Sequence, residues 1–366
     1  HTFFVHTPTM PLTSTQIDQF REIIRAGTSF VLTTHVNPDG DGLGSQVALA
    51  AFLQQRGVAA HIINHDAVPP PYRFLDPAGS LIGRYDPAVH DPLLRSAACI
   101  LIVDTNHTSR LGRLETAVNA SSARTVIIDH HPDPGTFASL TLVDIDASST
   151  GQIVYRLLDA LGGLPVSGHV ANALYTAVMT DTGSFRFPKT DSAVHRMVAD
   201  LIDMGADPVS TYQHVYEEGP ANRLQLLGEA LSGLRMAHEG RVCTLTVTRE
   251  MFHRTQTSEI DTDAFVPITL TVGGVQIGLM FTELEDCIKI NFRSKGDIPA
   301  NELARLFGGN CHRNAAGARV RGTSLEPLCA DVVSRSRTFL HCPESSCARL
   351  LRFPNPQRYE PTFWFF

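Results

Sequence analysis

The chain has 366 residues, 43% hydrophobic and 18% charged, which excludes global disorder and suits about two globular domains. Thirty Lys and Arg against 37 Asp and Glu give a net charge of −7, which excludes a uniformly basic coat for long duplex nucleic acid. No apolar run reaches the ~18–20 residues of a membrane span, seven Cys without a CxxC pair favour a reducing cytoplasm, and 16 His stand out as transition-metal ligands.

Residues 1–9 carry no leader pattern, and Met10 reads as a natural start. Ser14 or Thr15 caps a first helix through Ile17, Phe20, Ile23 and Ile24. Residues 30–35 are a β-branched and apolar strand ending in His35. Asn37-Pro38-Asp39-Gly40 is a turn, and Leu43, Val47, Leu49, Phe52 and Leu53 predict a helix from Asp41. The runs 61–63, 99–103 and 126–128 are short, apolar and continuous, as strands buried on both faces of a parallel sheet read. Helical patterns occupy 153–161, 170–179 and 193–204. Strands alternating with helices predict an α/β domain with a mostly parallel sheet flanked by helices.

The pattern changes near 215–240. Leu224, Leu227, Leu231 and Leu234 predict a connecting helix over 223–236. Strands follow at 242–247, 268–272, 276–281 and 287–292, with Gly273-Gly274 as a hairpin turn, and a helix over 301–307 runs into a Gly-rich loop. The expected organisation is a catalytic domain over 10–215, a linker over 216–238, a smaller α+β domain over 239–340 and a poorly ordered tail over 341–366.

Strand ends carry the chemistry. His35, Asp39 and Asp41 follow the first strand, Asp104 ends the run 99–103, Asp129-His130-His131 ends the run 126–128, and Asp181 ends a helical pattern. Ligands of open α/β sheets bind outside the carboxyl ends of the strands, so these segments converge on one crevice. Clustered Asp side chains raise each other's pKa, and divalent cations relieve the repulsion. Mixed carboxylate and imidazole donors suit two transition-metal ions working on a phosphoester. Singly, Asp133, Asp144, Asp146 and His107 read as turn formers or structural residues.

These motifs resemble the DHH phosphoesterase superfamily. His35-Val-Asn-Pro-Asp39-Gly-Asp41-Gly-Leu-Gly44-Ser45 is similar to its first motif, Asp104 to its second, Asp129-His130-His131 to its naming motif and Asp181 to its fourth. Phe307-Gly308-Gly309-Asn310-Cys311-His312-Arg313-Asn314-Ala315-Ala316-Gly317 is similar to the GGGH-x-x-A-A-G loop of the DHHA1 subfamily, departing at Asn310-Cys311. The resemblance implies that His35, Asp39 and Asp104 hold one ion and that Asp41, Asp104, His130 and Asp181 hold another, with Asp104 shared. Mn²⁺ is the favoured ion, with Mg²⁺ or Co²⁺ as substitutes. It implies that His131 faces the substrate phosphate, that Asp129 orients a His, and that Arg110 is structural or phosphate-facing.

Seven Lys and Arg lie between Lys289 and Arg321, opposed within that stretch by Asp297 and Glu302. The resemblance implies that Arg293 and Ser294 bind a nucleotide phosphate; His312 is expected to donate to a terminal phosphate, and Gly308 and Gly309 to offer N–H groups to an oxyanion. The compact DHH–DHHA1 organisation resembles the stand-alone enzymes that hydrolyse RNA of two to five nucleotides, including pGpG, and 3′-phosphoadenosine 5′-phosphate (pAp). A homodimer is the family expectation. The alternatives are a pyrophosphatase or polyphosphatase, a longer single-strand exonuclease, and a non-catalytic nucleotide-binding regulator.

Overall fold

The structure, a computed structural model, describes residues 12–132 and 134–340, except the side chains of 310–312. The expectations for 1–9, 341–366, Asp133 and the His312 side chain lie outside the described residues. The chain divides into two compact units between Gly219 and Pro220.

In the first unit, β1 (Ser29–Thr33), β2 (Ala59–Asn64), β3 (Ile82–Arg84), β4 (Cys99–Val103), β5 (Arg124–Asp129) and β6 (Leu140–Val143) form one sheet in the order β3-β2-β1-β4-β5-β6. All neighbouring pairs are parallel. The sheet is flanked by α1 (Ser14–Ala26), α2 (Gly40–Gln55), α3 (Pro87–Ser96), α4 (Leu114–Ala120), α5 (Thr150–Ala160), α6 (Gly168–Asp181), α7 (Ser192–Asp203) and α8 (Pro208–Tyr212). Alternate strand residues face opposite cores. Leu32, Leu101 and Ile128 join Phe20, Leu43 and Val178 in one, and Val31, Ile100 and Ile127 join Leu94 and Leu114 in the other. Both faces are covered, which is why these strands read as unbroken apolar runs.

Thr13, rather than Ser14 or Thr15, caps α1. Its hydroxyl accepts from Gln16 N while the Gln16 side chain accepts from Thr13 N, a capping box. At Gly44 a Cβ would overlap the Ala173 carbonyl, so this glycine lets α2 lie directly on the backbone of α6.

The second unit starts with α9 (Ala221–Ser232), whose Leu226 and Ala230 pack with Leu245, Val247 and Phe265. Its sheet contains β7 (Arg235–Ala237), β8 (Val242–Val247), β9 (Ile277–Glu283), β10 (Ile288–Ser294), β11 (Asn310–His312) and β12 (Ala315–Val320), in the order β11-β12-β10-β9-β8-β7. Around it lie α10 (Arg249–Thr255), α11 (Val266–Thr269), α12 (Ala300–Arg305) and α13 (Leu325–Ser336).

Two expectations change here. The predicted helix over 223–236 stops at Ser232, and 235–237 is an edge strand. The apolar run at 268–272 is not a strand: Pro267 supplies no ladder donor, and Thr269 Oγ1 closes a helical turn on Val266 O at 2.6 Å. The Gly273-Gly274 hairpin goes with it, because β8 and β9 pair in parallel and need a long crossover. No helix among the described residues is long and apolar enough to cross a membrane.

Candidate metal centre

The first sheet runs outward from β1 through β2 to β3 and then returns to β4 on the other side of β1. That reversal opens a crevice at the carboxyl ends of β1 and β4. His35 follows β1, and its Nδ1–H donates to Val36 O at 2.8 Å. Its Nε2 therefore lies 3.3 Å from Asp104 Oδ2 and 3.9 Å from Asp39 Oδ2. Asp39 caps α2, its Oδ1 accepting from Asp41 N and Gly42 N. Asp104, at the end of β4, holds a left-handed φ of 59°, strain of the kind that collects at functional sites.

Asp129 ends β5 with both neighbours tied to its Oδ1: His130 N donates at 2.8 Å and His131 Nδ1 at 2.7 Å. His130 Nε2 lies 3.4 Å from Asp181 Oδ2, 3.7 Å from Asp104 Oδ1 and 3.8 Å from Asp41 Oδ2. Donor atoms thus gather in three overlapping groups: His35, Asp39 and Asp104; Asp41, His130 and Asp181; and Asp104, His130 and His131. The fold brings together every residue expected to ligate.

Burial and the charges of Asp104, Asp181 and Asp39 push the Asp41 carboxyl well above its usual range. Burial, Asp104 and Asp39 do the same to Asp181. Burial also acts to raise Asp104, but the hydrogen bond from His35 and the charges of His131 and His35 hold it below the carboxylate range. Burial pushes His130 down to about 4, so its imidazole is neutral and able to ligate near pH 7. Mutually repelling carboxylates beside neutral imidazole are a donor set that fits divalent cations.

Residues outside the motifs complete the centre. Thr150 Oγ1 donates to Asp104 Oδ1 at 3.0 Å, and the N–H groups of Thr150 and Gly151 donate to Asp41 at 2.7 and 2.8 Å. The first turn of α5 therefore fixes two carboxylates at once. The sequence signal, Ser149-Thr150 before a helical pattern, reads only as a cap. Asp66 Oδ2 accepts from Asn37 N at 2.8 Å and steadies the turn between His35 and Asp39. Asp144 belongs elsewhere, in a 3.0 Å ion pair with Arg156.

Arg110 lies within electrostatic reach of His35 and Asp39. Its carbonyl accepts from Val36 N at 2.7 Å, which ties the 107–110 turn to the residue after His35. In the second unit, Ser294 Oγ donates to Ile298 O at 2.6 Å and accepts from Asn314 Nδ2 at 2.9 Å, so its hydroxyl braces the 294–298 turn. Arg293 is half-buried on β10 and donates to its neighbour's carbonyl, Phe292 O, at 2.9 Å.

The expectation for Gly308 and Gly309 is corrected. Gly308 N–H donates to Arg305 O and Gly309 N–H to Ala304 O, a Schellman ending for α12, so neither N–H faces an anion. A Cβ at Gly309 would overlap Gly317 O, which is why glycine is needed there. The basic excess is also smaller than the local sequence indicates. Glu259 pairs with Lys289 at 2.9 Å and with Arg319 at 2.5 Å, and Asp286 pairs with Arg321 at 3.0 Å.

Residues 29–178 match the model of the DHH family, N-terminal domain. The chain is 30% identical over 299 residues to the bifunctional oligoribonuclease and PAP phosphatase NrnA of Thermus thermophilus, covering 81% of this chain and 85% of that protein. It is 26% identical to the protein of the same name from Bacillus subtilis, covering 83% of this chain and 95% of that one. An exopolyphosphatase-related protein from Bacteroides fragilis superposes with a TM-score of 0.85 at 29% identity, covering 90% of this chain and 98% of that chain. The chain belongs to the DHH family of phosphoesterases.

Proposed function

We propose that the chain hydrolyses RNA of two to five nucleotides, including linear dinucleotides such as pGpG, to mononucleotides, and pAp to AMP. The observation that carries this reading is the near-full-length match to the relatives named oligoribonuclease and PAP phosphatase. The crevice at the β1–β4 reversal supports it with a complete donor set.

His35, Asp39 and Asp104 would hold one divalent ion, and Asp41, Asp104, His130 and Asp181 a second, with Mn²⁺ the preferred metal. The chemistry such ions supply when bound is Lewis acidity and activation of water. Asp104 is the shared ligand, and Thr150 fixes its orientation. His131, steadied by Asp129, donates a hydrogen bond to a non-bridging phosphate oxygen. Arg110 offsets charge on the same phosphate, and Arg293 and His312 are assigned to nucleotide-phosphate binding. Water is the nucleophile; Ser45 is buried within α2 and takes no part.

The test is a side-by-side assay in Mn²⁺ with pGpG, a five-nucleotide RNA, pAp, pyrophosphate, polyphosphate and long single-stranded DNA. Rapid turnover of the first three, with little of the others, is the expected result. The similarity to an exopolyphosphatase-related protein favours a second reading, polyphosphate hydrolysis, and preference for polyphosphate would establish it instead.

A further inference from the structure

Asp181 is followed by Thr182-Gly183-Ser184-Phe185-Arg186-Phe187-Pro188-Lys189. Three successive residues there take left-handed backbone: Gly183 at φ 57°, Ser184 at 60° and Phe185 at 64°. Two of them are not glycine, so the surroundings must hold the turn against strain. Arg186 N and Phe187 N both donate to Thr182 O, at 3.1 and 3.0 Å, and Phe185 N donates to Thr182 Oγ1 at 3.0 Å. Arg186 Nε donates to Gly183 O at 2.7 Å, and Lys189 Nζ to Ile145 O at 2.7 Å. The loop is pinned at both ends.

Its two phenylalanines are used differently. Phe185 turns inward, edge-on to Tyr175 with ring centroids 5.6 Å apart. Phe187 stays 43% exposed, with one side of its ring on Gly183, where any side chain would collide with it. Gly183 is two residues from Asp181, which puts the ring within about 12 Å of the Asp181 backbone. The Arg186 guanidinium lies 5.8 Å from the ring centroid, and the Lys189 charge is felt at both His130 and Asp181. An exposed aromatic ring with an arginine over it, on a strained and hydrogen-bonded turn close in sequence to a metal-centre carboxylate, has the make-up of a single-strand nucleic-acid platform.

We propose that Phe187 is a nucleobase-stacking residue: the exposed part of its ring takes the base of the nucleotide whose phosphate is at the metal centre, and Arg186 and Lys189 supply positive charge to that nucleotide. This deepens the proposed function and rests on it for the identity of the substrate. It assigns recognition of the base to ring contact, which any base can make, and so predicts little discrimination among bases.

The experiment compares AMP with ribose 5-phosphate, which carries the phosphate without the base, as ligands of the Mn²⁺-loaded protein. Phe187→Leu keeps the apolar contact with Gly183 and removes the stacking face. It is expected to weaken AMP binding about tenfold, to leave ribose 5-phosphate binding unchanged, and to raise KM for a dinucleotide by more than it lowers kcat. Phe187→Tyr restores AMP affinity. Phe187→Trp supplies an independent signal, fluorescence quenched by AMP and not by ribose 5-phosphate. Equal loss of both ligands in Phe187→Leu, or no preference for AMP in the unmodified protein, overturns the proposal. Failure of the substrate reading is distinguishable, because it appears as absent hydrolysis of RNA and pAp by the unmodified protein, whereas the two ligands report on Phe187 without turnover.

Discussion

In the first unit, ionisable residues from three strand ends and one helix end point at one another: the carboxylates of Asp41, Asp104 and Asp181 surround the neutral imidazole of His130. In the second unit, charges are matched in place: Glu259 answers Lys289 and Arg319, and Asp286 answers Arg321. Glycines follow the same division. Gly151 presents its N–H to Asp41 in the centre, while Gly308 and Gly309 direct theirs to the end of their own helix. Frustrated charge marks a place built for a ligand, and satisfied charge marks a place built for the fold.

The largest effect expected from that contrast is on Asp104. Asp104→Ala removes the carboxylate common to two of the donor groups and should lower kcat/KM by about three orders of magnitude or more. Metal content measured alongside activity should fall as well. Near-full activity with normal metal content would refute the assignment.

Thr150→Val tests whether α5 positions the carboxylates. Losing the hydroxyl that donates to Asp104 should weaken Mn²⁺ binding by about 10–100-fold, measured by titration calorimetry, and Thr150→Ser should recover it. An unchanged affinity in Thr150→Val would reduce Thr150 to a helix cap.

The frustrated charge also sets a pH dependence. Asp41 and Asp181 have folded-state pKa values raised above the unfolded ones, so their contribution to stability is present in acid and lost as pH rises through the folded values. Divalent ions reverse that loss. The rise in Tm on adding Mn²⁺ should therefore grow as pH rises through the raised carboxylate values, and binding below those values should release protons, detectable as a dependence of the binding heat on buffer ionisation. His130, pushed down to about 4, is neutral near pH 7 and contributes none there. A Tm shift that is flat with pH would argue against crowded carboxylates in the metal-free state.

Much of the centre is legible in the sequence because its residues sit directly after apolar runs, and the alternation of strand and helix dictates which ends face the same crevice. Thr150 is not legible, since its link to Asp104 spans 46 residues and its local signature is an ordinary cap. The neutralisation of Lys289 and Arg319 is hidden for the same reason: Glu259 lies outside the stretch whose charge is being counted. Residues 268–272 mislead because a short apolar, β-branched run does not distinguish a strand from the end of a helical turn such as 266–269.

Smaller effects sharpen the second half of the contrast. Gly309→Ala, which forces a methyl group onto Gly317 O, should destabilise the protein by about 2–3 kcal/mol. Gly308→Ala meets open space and bears only the cost of a left-handed backbone, about 1 kcal/mol. Equal losses in chemical denaturation would contradict a packing role for Gly309. Glu259→Gln should cost about 1 kcal/mol or less, because its pairs with Lys289 and Arg319 are partly exposed. A substantial change in KM for that variant would mean that these cations serve the substrate and not the fold.

The most direct test of the central claim is anomalous diffraction from crystals grown with Mn²⁺. Two peaks in the crevice between β1 and β4, both contacting Asp104, one beside His35 and Asp39 and the other beside Asp41, His130 and Asp181, are the predicted result. A single ion, or ions that do not touch Asp104, would contradict it.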